Sequence, residues 1–193
     1  MSNDIQLQHI REFSERYQYD NSYVEQMLIA SPTCYEKFNA FVSLSHHREQ
    51  LSVEAFWVAK LAAMQVADCG HCVQLNVRMA LASGVDRAII QSSLRGGSGL
   101  PAQLLDVFTF ATCVASSQSI DFDLEQRVKQ QLNPTQQVEL SVCIATAAMY
   151  PTIKRALAKV VGSPKLMFKP NMHMTVLLTY LILPSVMRLL NFR

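Results

Sequence analysis

Apolar positions recur at helical spacing along almost the whole chain. Ile5, Ile10, Phe13 and Tyr17 mark one face of an amphipathic first helix. Ser22, followed three residues on by Glu25, reads as a capping box opening a short helix through Met27 and Leu28. Ser31-Pro32 predicts an N-cap followed by proline at the first helical position, and the helix behind it carries Tyr35, Phe38, Phe41, Val42 and Leu44 on roughly one face. His46-His47-Arg48-Glu49 is a polar connector, with its histidines read as surface or capping groups. Ser52 then caps a helix running through Phe56, Trp57, Val58, Leu61 and Met64 to about Ala67.

A second apolar helix begins near Cys69 and stops at Gly84. Val85-Asp86 starts another, through Ile89, Ile90 and Leu94. Gly96-Gly97-Ser98-Gly99 is the clearest internal break, and it reads as a turn, since no strand precedes it and no Gly-Lys-Ser/Thr follows. Pro101 opens a helix through Leu104, Val107, Phe108 and Val114, and a short one follows from Asp121 or Asp123 to Leu132. Asn133-Pro134 caps a long helix through Val138, Leu140, Ile144 and Ala147. Pro151 is expected to end or kink it before Ile153–Val161, and Gly162-Ser163-Pro164 is a further break. No segment alternates as a strand does, so the fold is read as all-α. The organisation predicted for residues 1–193 is one domain. It has N-terminal helices over 1–50, a core over 51–161 and an apolar helix over 171–190.

That last helix is apolar on most sides between Met174 and Leu190. Its length is near the minimum for crossing a bilayer, roughly 17 residues. Pro184 and two threonines interrupt it, which favours burial in the core or between subunits over a membrane anchor, the alternative.

Composition adds three constraints. A chain of 193 residues with 50% hydrophobic content can bury a sizeable core. A formal net charge of +2 argues against nucleic acid as a partner. Charged residues make up only 17%, below the roughly 25% usual in soluble domains, which points to surface hidden in a homo-oligomer. Met1–Asp20 has no signal-peptide core. The five cysteines are an odd number, and Cys34, Cys113 and Cys143 fall inside apolar helical patterns, so a reducing, cytoplasmic setting is expected.

The chemistry concentrates in Asp68-Cys69-Gly70-His71-Cys72, between two apolar helices. A close pair in a reducing compartment more plausibly cycles than staples. Unpaired N–H groups at the helix start favour a thiolate, as would a protonated His71 turned inward. Gly70 permits the tight backbone that joins two sulfurs, and Asp68 can cap the helix or move protons. An inert structural pair and half a metal site are the other readings. Zinc would need two further ligands, and neither His46, His47 nor His173 stands at a metal-like spacing. The preceding residues Lys60–Ala67 read as helix, which argues against a thioredoxin-type βαβ setting.

With an apolar helix, Cys-x-x-Cys and a helix closing in Ala82-Ser83-Gly84-Val85-Asp86, the chain resembles the carboxymuconolactone decarboxylase / alkylhydroperoxidase (AhpD-like) superfamily. Gln136–Leu140 and Tyr150–Leu157 add to the likeness, which covers roughly residues 50 to 160. The resemblance implies an all-α, homo-oligomeric protein with a redox-active disulfide and no bound cofactor. It would reduce hydroperoxides or disulfides, with an external dithiol restoring the pair. It places the attacking thiolate at Cys72 and the resolving one at Cys69. The peroxidase branch carries a glutamate twelve residues before the first cysteine and a histidine four after the second, where this chain has Trp57 and Asn76. Glu54, one turn before Trp57, and His71 are the candidate replacements, with Asp68 a second proton carrier. A non-catalytic redox sensor or assembly module is the alternative function.

Overall fold

A computed structural model describes residues 3–161. Among them are nine helices and no strand: α1 Asn3–Tyr17, α2 Ser22–Ala30, α3 Pro32–Leu44, α4 Val53–Val66, α5 Gly70–Ala82, α6 Arg87–Leu94, α7 Ala102–Ala115, α8 Phe122–Gln131 and α9 Pro134–Val161. The expected apolar segment 171–190 and the break at 162–164 lie outside the described residues. None of the described helices is long and apolar enough to cross a membrane.

Several helix starts follow from the capping residues read in the sequence. The hydroxyls of Ser31 and Ser52 accept the Cys34 and Ala55 N–H groups, and Asp86 and Asp121 cap α6 and α8. Asn133 and Gln136 cap α9 reciprocally, each side chain accepting the other's backbone N–H at 3.0 and 2.9 Å. Two expectations need correcting. Ser22 is the first residue of α2 rather than its cap, because Asp20 Oδ1 accepts the Ser22 N–H at 3.0 Å and turns the chain one residue earlier. Of the two outcomes expected at Pro151, an end or a kink, the end is the one to correct: α9 runs through it to Val161. Proline removes one N–H donor there, but Pro151 is fully buried, and packing on both sides of it outweighs one lost bond.

Helix α4 is the central element. Ten consecutive residues, Ala55–Met64, are buried as it packs against α5, α6, α7 and α9. A helix apolar all round must be enclosed on all sides, and α4 is. The larger core is drawn from Leu51 to Ala147, including Trp57, Leu61, Cys72, Val77, Leu140 and Ile144. A smaller one joins Ile10, Tyr23, Leu28 and Tyr35 to Leu75 of α5. Met79 packs against both, so α5 lies at the seam between them.

Two contacts set the position of α9. The buried Glu139 carboxylate accepts the N–H groups of Glu49, Gln50 and Leu51, the last at 2.7 Å, which ties α9 to the loop before α4. About three turns further along α9, the Tyr23 and Tyr150 hydroxyls meet at 2.6 Å. The glycine turn is a packing device. Gly97 has φ +86°, and a Cβ there would stand 2.9 Å from Leu105 Cδ1.

Candidate active site

Cys69 and Cys72 are joined as a disulfide, with their Cα atoms 5.2 Å apart. Cys69 is the N-cap of α5, and its carbonyl accepts the Val73 N–H at 2.9 Å. The N–H groups of Gly70, His71 and Cys72 therefore begin the helix without intrahelical partners, and their partial positive charge favours a thiolate on either sulfur. Both cysteines are buried, at 2% and 0% exposure. Exposure therefore does not single out either sulfur. Reagents reach the pair only through local opening. Cys34, Cys113 and Cys143 are free thiols, respectively exposed, half-buried and buried.

Asp68 shapes the approach to the pair. It is exposed and holds φ +48°, in the left-handed region that Asp tolerates better than most residues. It lies one position outside the cap, and α5 has no side-chain cap bond. The preceding carbonyl, on Ala67, accepts the Arg155 guanidinium N–H at 2.9 Å. Arg155 thus fastens α9 to the loop that carries the cysteines.

The positions that carry acid and base in the resembled family are filled by core groups. Trp57 is buried edge-on to Phe56, with ring centroids 5.3 Å apart. Asn76 is buried one turn after Cys72, and its amide donates to the Cys72 carbonyl at 2.7 Å and to Met64 Sδ at 2.9 Å. Its Oδ1 is buried without a partner. Glu54 is half-buried in the first turn of α4, about 18 Å along the helix axis from Val66, beyond which the cysteines lie.

His71 is placed differently. It faces a cleft of about 150 Å³ together with Gln74 and Arg78 of its own helix, Tyr19 and Asp20 from the α1–α2 loop, and Lys154 of α9. Residues 71, 74 and 78 share one helical face. Burial and the nearby Lys154 push His71 below the ordinary histidine range, with Asp20 opposing, so its ring is neutral at pH 7. The buried cation of this neighbourhood, with the half-buried Arg78 beside it, is Lys154. Its side chain is 3% exposed, and burial lowers its pKa to about 7, against the pull of Asp20. Its Nζ sits 4.3 Å from the Tyr19 ring centroid. Arg78 is fixed at the rim by donating to the Tyr17 and Gln18 carbonyls.

Reasoning from sequence missed Lys154, Asp20 and Arg78. Two signals were available: the i, i+3, i+7 spacing from His71 to Arg78, and a lysine amid the apolar Tyr150–Leu157 run. The loop carrying Asp20 gave none, because only tertiary folding brings it to α5.

No group of three metal-ligating side chains among the described residues includes Cys69 or Cys72. Among the described residues only His47, Glu49 and Glu139 cluster at metal-like distances, away from the cysteines, and the Glu139 oxygens are engaged by backbone N–H groups. No protein-family model matches the chain, and no curated protein or solved structure matches it either.

Proposed function

We propose that this protein is an AhpD-like thiol–disulfide oxidoreductase working through Cys69 and Cys72. The observation that supports it most is the disulfide itself, closed across the first turn of α5 beside a cleft holding His71 and Lys154. In the reduced state, a Cys72 thiolate attacks the distal oxygen of a hydroperoxide. An S–O bond forms, the O–O bond breaks, and the alcohol leaves with a proton. The Cys69 thiolate then attacks the sulfenic sulfur, water leaves, and the disulfide forms. An external dithiol returns two electrons and two protons. Lys154 favours the thiolate by its charge, and neutral His71 accepts and returns the proton. A cytoplasmic homo-oligomer is the setting that goes with this reading. A dithiol-driven peroxide assay tests it: wild type turns over and Cys72→Ser does not, whereas equal turnover in both defeats the proposal.

Two observations favour a second reading, a redox sensor without turnover. The cysteines are buried, and Trp57 and Asn76 stand where the family has its acid and base. For a sensor, mild peroxide closes the pair stoichiometrically and no sustained peroxide consumption follows.

A further inference from the structure

The cleft beside the pair contains opposite charges that do not meet. Lys154 Nζ makes no hydrogen bond and no ion pair among the described residues, and its contacts are the Tyr19 and Tyr23 rings, at 4.3 and 6.0 Å. Asp20 gives Oδ1 to the Ser22 N–H, while Oδ2 is buried with no partner. An ammonium held only by ring faces and a buried carboxylate oxygen with no partner line one cleft, and each carries a desolvation cost. A ligand bearing both charges, a few ångströms apart, would satisfy them together. The cleft's volume of about 150 Å³ equals roughly five waters, the scale of one small amino acid.

We propose that this cleft binds the zwitterionic head of a small amino-acid thiol, with its carboxylate on Lys154 and its ammonium on Asp20, and so presents the thiol sulfur to the Cys69–Cys72 disulfide. This rests on the redox reading of the pair and assigns its reduction to two molecules of a monothiol in place of one dithiol. Neither cysteine lines the cleft, so the attack goes with local opening beside His71: the ligand's thiolate then bonds to one cysteine sulfur, a mixed disulfide forms, and the other cysteine leaves as a thiolate. A second thiolate attacks the mixed disulfide and releases the oxidised ligand dimer. Two thiols are oxidised, one disulfide is reduced, and two protons pass to the cysteines. His71, in the same wall and next in sequence to Cys72, is placed to carry one of them.

Two measurements on the full chain separate this inference from the reading beneath it. In the first, S-methyl-L-cysteine, which has the same head but no thiol, is titrated into the oxidised protein while the His71 ring resonances are followed. Saturable shifts are expected in wild type, weakened at least about tenfold in Lys154→Met and in the near-isosteric Asp20→Asn. In the second, reduction of the disulfide is timed with L-cysteine, cysteamine, 3-mercaptopropionate and 2-mercaptoethanol at equal thiolate concentration. L-cysteine is expected to lead 2-mercaptoethanol by about tenfold, and Lys154→Met to reduce it to the cysteamine rate. No saturable shift with S-methyl-L-cysteine overturns the cleft assignment whatever the redox result. Saturable binding with four equal reduction rates overturns the presentation of sulfur to the pair. A disulfide that neither these four thiols nor dithiothreitol reduces overturns the redox reading instead.

Discussion

Lys154 lies over the Tyr19 ring at 4.3 Å, and ring faces are the direct contacts of its ammonium, with the Asp20 carboxylate acting on it without an ion pair. A ring quadrupole replaces only part of a lost hydration shell. The lysine is therefore poised near pH 7, half charged.

Stability should rise with pH as a result. The folded value of Lys154 lies below its unfolded 10.5, so between about 7 and 10.5 the unfolded chain holds the extra proton. Lys60, buried with its Nζ donating to the Ser45 carbonyl at 2.5 Å, is lowered to about 8 and adds to the rise only above that pH. Urea unfolding should give a gain of ~1 kcal/mol from pH 7 to 8, absent in Lys154→Met and kept in Lys60→Met. A flat wild-type profile across that interval contradicts the assignment.

Reducing the disulfide should leave the fold standing. Its sequence separation of 3 closes a very small ring, for which chain entropy gives roughly 2 kcal/mol. For a chain of this size that corresponds to a Tm lower by about 4–8 °C in reductant, with helical circular dichroism unchanged at 25 °C. Loss of helicity on reduction at 25 °C would show a structural staple instead of a cycling pair.

Much of this architecture is legible in the sequence because it is local. Ser31, Ser52, Asp86 and Asp121 announce helix starts through bonds spanning two or three residues. The run Ala55–Leu61, apolar but for Lys60, forecasts an enclosed helix before any partner is known. The cysteine pair was equally visible. What escaped is non-local. Asp20 reaches α5 only because α1 and α2 fold over Leu75, and Pro151 stays helical only because packing at that point outweighs propensity. His71 read as a prospective cation because its strongest electrostatic neighbour, Lys154, is far away in sequence.

Arg155 offers a way to loosen the cysteine loop without touching a sulfur. Its guanidinium donates to the Ala67 carbonyl at 2.9 Å and to Thr152 Oγ1 at 3.2 Å. Arg155→Ala should cost about 1–2 kcal/mol of global stability. Because the lost bond holds the segment entering Cys69, the disulfide should be reduced several-fold faster by dithiothreitol under native conditions. Comparing reduction rates at matched stability checks this, and an unchanged rate means the pair opens by another route.

Asp68 carries a backbone prediction. At φ +48° an L-residue bears a conformational cost that glycine avoids. Asp68→Gly should be neutral to stabilising by at most about 1 kcal/mol, and Asp68→Val should lose at least about 1 kcal/mol. Asp68→Asn keeps the backbone preference and removes the charge. Turnover within about twofold of wild type in that variant excludes Asp68 as the proton carrier.

Glu139 determines where α9, and with it Lys154, sits. Burial pushes its carboxyl up, but N–H groups from Leu51, Gln50 and Glu49 outweigh that, and the net shift is downward from 4.5. The stabilisation is thus present at neutral pH and is lost as pH falls below about 4.5, when the folded carboxylate takes up its proton. Glu139→Gln turns one acceptor into a donor facing backbone N–H groups and should cost about 2–3 kcal/mol at pH 7. Protonation imposes a similar loss on the wild type, so the gap between the two proteins should shrink as pH drops below 4. Urea unfolding of both at pH 7 and pH 3.5 measures it. A gap equally wide at both values would mean that the carboxylate's charge is not what holds α9 to the loop before α4.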